Sequence, residues 1–127
     1  MIPTTLISGG SSGQRESAIA DQLASLAPDS TLALILEGLP EALDPLAATA
    51  RNPRHRVARI APGCPCCIGN LTMRVTLNRL LRRPPQYLFI SLATSAHLPQ
   101  VRAFLSAPPY DQYLTLTDDL AMSLPSP

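Results

Sequence analysis

The sequence predicts an α/β fold of three layers, with a mainly parallel sheet and helices on both faces, in a shortened form. Three observations predict it. Apolar runs of strand length alternate along the chain with segments of helical spacing. Two of those runs, TLALIL at 31–36 and YLFISL at 87–92, carry little alternation, as strands covered on both faces do. A glycine-rich stretch, ISGGSSGQRES at 7–17, separates the first strand from the first helix.

Each element follows in order. Thr4–Ile7 reads as a buried strand. Arg15–Ala27 reads as a helix, because Ile19, Leu23 and Leu26 form a stripe at spacings of four and three. Pro28-Asp29-Ser30 breaks it. Thr31–Leu36 is the second strand, and the Pro- and Ala-rich stretch 37–54 has room for one helix from Pro45 to Arg51. HRVARI at 55–60 is a third strand and APGCPCCIG after it a tight loop. Leu71–Arg83 is amphipathic, with Met73, Leu77, Leu80 and Leu81 on one side. YLFISL is a fourth strand, His97–Leu105 a helix with the stripe Leu98, Val101, Leu105, and Tyr113–Leu116 a last strand. The tail from about residue 119 is expected to fray. With no repeat or linker, residues 1–127 read as one domain.

Composition narrows the function. The net charge is +1, which gives no overall electrostatic footprint for nucleic acid or an anionic membrane. All ten basic residues are arginine, so a phosphate-binding lysine, a Schiff base and a lysine general base are excluded. The longest aliphatic run, LALIL, is too short for a bilayer, and the first ten residues carry no basic n-region. A cytoplasmic location is expected. Three cysteines crowded at 64, 66 and 67 then suggest metal or redox chemistry rather than a disulfide framework.

In such folds ligands sit beyond the carboxyl ends of the strands. Three loops fall there: 8–15, 61–70 and 92–97. The first offers Gly9, Gly10, Ser11, Ser12 and Gly13, whose backbone can form an anion nest at a helix start. Against the phosphate-loop pattern G-x-x-x-x-G-K-[ST], however, Gln14, Arg15 and Glu16 stand where Gly, Lys and Ser/Thr belong. A carboxylate at Glu16 about 4 Å from a polyanion costs roughly 4 kcal/mol at an effective dielectric near 20, or about three orders of magnitude in affinity. Glu16 also has a simpler reading as a first-turn residue favourable to the helix dipole. In the second loop Cys64, Cys66 and Cys67 present three soft ligands to Zn²⁺ or Cu(I). A fourth ligand would come from His97, His55, Glu37, water or a second molecule. Two other readings stay open: small buried packing residues, or a redox pair of Cys64 and Cys67 in C-x-x-C.

The loop PGCPCC at 62–67 resembles the G-C-x-C-C motif of CobW-like P-loop GTPases, the metallochaperone family related to UreG and HypB. The order of the surroundings agrees over roughly residues 3–116: strand, glycine loop and helix at 4–20, Glu37 and Asp44 in LILEGLPEALD, Asn70-Leu71 at a helix start, and FISLATSAHLPQV at 89–101 with His97 and the Val101 helix. The resemblance implies a P-loop NTPase-like fold. It also pairs the family's phosphate-loop lysine with Arg15, its magnesium-side hydroxyl with Glu16 (Ser17 is the next hydroxyl), and its glutamate and glycine after the third apolar strand with Ser91 and Thr94. The guanine-reading segment would fall beyond residue 127 and is expected to be missing.

What the resemblance implies is a metallochaperone-type domain that binds a thiophilic metal, zinc first, through Cys64, Cys66 and Cys67. Binding and hydrolysis of Mg·GTP are expected to be weakened or lost, with no catalytic residue assigned. The expected partners are the metal ion and either a client metalloprotein or a complete CobW-like protein, with a homo-oligomer also open. The alternatives are a weak or partner-dependent GTP-binding protein and a non-catalytic interaction partner.

Overall fold

The computed structural model describes residues 1–27, 29–38, 46, 51–60, 70–93, 96, 98–117 and 119–121. Strand β1 (Ile2–Ser8) leads into helix α1 (Ser12–Leu23). Strands β2 (Leu32–Glu37) and β3 (His55–Ile60) follow, then helix α2 (Asn70–Leu80), strand β4 (Tyr87–Leu92), helix α3 (Leu98–Leu105), a 3-10 turn at Tyr110–Gln112, and strands β5 (Leu114–Leu116) and β6 (Leu120–Ala121).

The strands lie in the order β3-β2-β4-β1-β5, with β6 also paired to β1, and every pairing is parallel. Helices cover both faces, so the expected three-layer α/β fold is present. On one face α1 contributes Ile19 to a core with Ile7, Leu32, Leu34, Leu36, Leu46 and Phe89. On the other, Met73, Leu77 and Leu80 of α2 and Val101 and Leu105 of α3 pack with Leu6, Ile35, Leu88 and Ile90. All six β2 residues are buried, as an apolar run in a covered central strand requires. The edge strand β3 is half-buried throughout and sorts by alternation: Val57 packs with the α1-side core and Ile60 with the opposite one.

HRVARI and YLFISL form strands over the limits read from the sequence. Helix α1 begins three residues before the expected Arg15 and ends at Leu23 instead of Ala27. Its first turn, Ser12-Gly13-Gln14, is held by a cap rather than by helix propensity. β6 lies inside the stretch expected to fray and pairs Ile7 with Leu120 and Ser8 with Ala121. The expected helix from Pro45 to Arg51 lies mostly outside the described residues, although Leu46 is buried in the α1-side core.

Candidate functional site

The parallel register sets four strand ends level. Ser8 lies beside Leu92, Ser91 beside Leu36, and Glu37 beside Ile60. Hydrogen bonds tie these ends together: Gly9 N–H donates to the Leu92 carbonyl (3.2 Å), Gly38 N–H to the Ile60 carbonyl (3.0 Å), and Ala93 N–H to Glu37 Oε1 (2.5 Å). The connection leaving β1 runs toward β2, whereas the one leaving β4 crosses to β5 on the other side of β1. The strand order therefore reverses between β1 and β4, the place where sheets of this kind take their ligands. The glycine loop and Ala93 lie at that point.

Gly9 (φ 83°) and Gly10 (φ 61°) take left-handed backbone, which glycine adopts without penalty. Ser11 caps α1 through a capping box: its hydroxyl accepts from Gln14 N–H (3.1 Å), and Gln14 Oε1 accepts from Ser11 N–H (2.8 Å). The start of an ordinary helix is thus closed by its own chain.

Arg15 is 2% exposed, and its guanidinium turns inward. Nε donates to Ser91 Oγ (2.7 Å), one terminal nitrogen to the Gly9 and Gly10 carbonyls (3.0 Å each), and the other to the Glu37 carbonyl (3.1 Å). These contacts bind the glycine loop to the ends of β2 and β4. In an anion nest, backbone N–H groups face the ligand. Here carbonyl oxygens of the loop face an internal cation, and the N–H groups of Gly9, Ser11, Gln14 and Arg15 all donate within the chain.

Glu16 corrects the first-turn reading. With α1 starting at Ser12, Glu16 lies in the second turn, and it is 2% exposed. Arg59 donates to both of its carboxylate oxygens (3.1 and 2.9 Å), a bidentate pair that lashes α1 to the carboxyl end of β3. Ser17 is exposed on the outer side of α1. Glu37, the last residue of β2 and a candidate fourth ligand in the sequence, is 7% exposed. Ser8 Oγ is buried without a hydrogen-bond partner among the described residues. Gly38 crosses the start of α1 with φ 114°, a Cβ there falling 3.5 Å from the Ser12 Cβ.

Cys64, Cys66, Cys67, His97, Asp44 and Thr94 lie outside the described residues. The cysteine-bearing segment departs from Ile60, level with the end of β1, and the chain re-enters at Asn70 at the start of α2. His55 begins β3, about 16 Å along the strand from Ile60, at the opposite edge of the sheet. Among the described residues no three His, Cys, Asp or Glu side chains converge as metal ligands would, and no helix is long and apolar enough to cross a membrane. Sequence reasoning missed Arg59 and Ser91 as partners. The one available signal for Arg59 was its place on the α1 face of an alternating strand.

The chain is similar to a zinc chaperone. YeiR of Escherichia coli (strain K12), a zinc chaperone, is 30% identical to it over 124 residues, which is 96% of this chain and 37% of YeiR. The chain thus spans well under half the length of that relative. No family model and no solved structure matches it.

Proposed function

We propose that this chain is a CobW-like metallochaperone-type domain whose cargo is a thiophilic metal, zinc first, held by Cys64, Cys66 and Cys67, and that its glycine loop no longer takes up Mg·GTP. The metal half rests on the three-cysteine motif together with the similarity to a zinc chaperone along nearly the whole chain. Three thiolates supply three corners of a tetrahedron, and an open fourth corner suits a carrier that must release its metal. The nucleotide half rests on one observation above others, the inward guanidinium of Arg15, bonded to the Gly9, Gly10 and Glu37 carbonyls and to Ser91. For the loop to cradle a phosphate, those four bonds must break and the Gly9 and Gly10 carbonyls must lose their donor. Glu16, one turn into the helix, is a carboxylate already engaged by Arg59 and offers no hydroxyl to a nucleotide-bound magnesium.

Cobalt substitution tests the metal half. Fully reduced protein should take up one Co²⁺ and develop thiolate-to-cobalt charge-transfer bands, and Cys66→Ser should remove most of that signal with the fold retained. Binding should weaken steeply on acidification, because thiolates must lose protons to coordinate. Absence of the bands, or bands unchanged in Cys66→Ser, would leave the cysteines as packing residues.

A further inference from the structure

The opposite edge of the sheet carries a second feature that the metal site does not use. Here β5 begins level with Ile2, and the turn before it lies against α2. Between them is a cavity of about 480 Å³ lined by Arg74, Asn78, Phe104, Pro109 and Tyr110. A second of about 300 Å³ shares Asn78, Pro109 and Tyr110 and adds Arg82 and Tyr113. The two make one trough along α2 and the turn that ends it, since 74, 78 and 82 follow at four-residue steps and Leu81 and Arg82 still bond back to Leu77 and Arg79.

Its chemistry is one-sided. The walls are aromatic and proline rings: Phe104 and Tyr110 meet in a tilted contact, with centroids 5.1 Å apart and planes at 52°, and Tyr113 is an exposed large hydrophobic at 44%. The side-chain polar groups on offer are donors. Arg74 holds its guanidinium 5.9 Å above the Phe104 ring. Tyr110 donates its hydroxyl to Asn78 Oδ1 (3.0 Å), which leaves the Asn78 NH₂ as donor. Arg82 is exposed and makes no ion pair among the described residues. The sequence is biased the same way: residues 45–110 hold nine arginines and no acid, and Asp111, between Tyr110 and Tyr113, is the one carboxylate beside the lining residues.

We propose that this trough docks an extended acidic segment of a partner protein, with two carboxylates flanking a short apolar stretch. Arg74 lies on α2 and Arg82 in the tightened turn just past its end at Leu80; eight residues of helical rise set them about 12 Å apart, and an extended chain covers that distance in about four residues. The recognised pattern is therefore acid-x-x-x-acid, with the intervening side chains against Phe104, Pro109 and Tyr113. Single-stranded nucleic acid fits less well. Base stacking needs open ring faces, and of the trough's three rings Tyr113 alone offers one: Tyr110 is 3% exposed and the Phe104 face is covered by Arg74.

The test is a titration of the isotope-labelled chain with the blocked peptide Glu-Pro-Leu-Pro-Glu, followed by amide chemical shifts. Saturable shifts confined to residues 74–82 and 104–113 are expected, and Gln-Pro-Leu-Pro-Gln should bind at least about tenfold more weakly. Arg82→Gln and Arg74→Gln, both at exposed positions, should each lose about fivefold with an otherwise unchanged spectrum. No saturable shift, equal binding of the glutamine peptide, or undiminished binding by both variants overturns the proposal. Stronger shifts at the same residues from pentauridylate, or from vesicles of phosphatidylserine and phosphatidylcholine, reassign the trough to nucleic acid or lipid and equally overturn it.

Discussion

A single buried arginine decides how the glycine loop behaves. Arg15 presents a planar fork of donors, and four of its contacts end on three carbonyls and one hydroxyl drawn from three different segments. Removing it leaves those acceptors without their donor, at a cost of about 1–3 kcal/mol for a fully buried orphan and less near the surface. Arg15→Met should therefore lower stability by about 2–4 kcal/mol, read as a fall in the urea midpoint at unchanged slope. Arg15→Lys should recover only part of it, because an ammonium concentrates its donors at one point and does not reproduce the fork. A loss below about 0.5 kcal/mol, the range of ordinary surface changes, would show that the guanidinium does not tie the loop to the sheet. The same logic bears on rebuilding a phosphate loop. Replacing Gln14, Arg15 and Glu16 by Gly, Lys and Thr would restore the motif in sequence, but it would also strip the capping box and deprive Arg59 of its carboxylate.

Among the elements, β3 shows both how much was legible and why some was not. Its limits could be read from HRVARI because the run is bounded by Pro53-Arg54 and by a Pro- and Cys-rich loop. YLFISL was legible for the same reason, and the helical stripes at Met73, Leu77 and Leu80 and at Val101 and Leu105 did become core. The start of α1 was misplaced because Ser-Gly-Gln reads as loop by propensity. The Ser11-to-Gln14 spacing of a capping box was the overlooked signal. β6 could not be read, since two residues between Asp119 and Met122 carry no period; it forms because β1 leaves an edge beyond β5. The pairs Arg15–Ser91 and Glu16–Arg59 join residues 76 and 43 positions apart, and nothing local encodes them. At the start of β3, burial lowers the His55 pKa below 6.5, and the Ser30 backbone opposes it only in part. The unfolded chain then takes up the proton first as pH falls. The stability carried by neutral His55 is complete above about pH 6.5 and is lost as pH drops from there through the lower folded-state value. Between about pH 7.5 and pH 5, the urea midpoint of the wild-type chain should fall further than that of His55→Gln. Parallel curves for the two proteins would show that His55 titrates alike folded and unfolded.

Across the whole molecule, the two edges of the sheet differ in what holds them. The carboxyl edge is knit by polar contacts from α1, β2, β3 and β4: the Arg15 fork, the Glu16–Arg59 pair and the Glu37–Ala93 bond. In a phosphate-binding loop, ligand and metal supply part of that cohesion, so an empty loop is less stable than a filled one. Here the chain supplies the cohesion itself, and the segment bearing Cys64, Cys66 and Cys67 springs from the same edge at Ile60. The two candidate ligands should then act differently on folding. A ligand that binds only the native state raises stability by about 2.7 kcal/mol at one hundred times its dissociation constant. In a domain of this size that lifts the melting temperature by on the order of 10 °C. Reduced protein should show a Zn²⁺-dependent rise of several degrees or more, shrunk where zinc also binds the unfolded thiols and abolished by Cys64→Ser combined with Cys66→Ser. Millimolar Mg·GTP should leave the melting temperature where it was. A rise with Mg·GTP that vanishes in Arg15→Met would mean that the guanidinium serves a bound nucleotide and that the glycine loop still takes up Mg·GTP. A flat response to zinc in fully reduced protein would mean that the three cysteines hold no zinc, with the self-closed glycine loop unaffected.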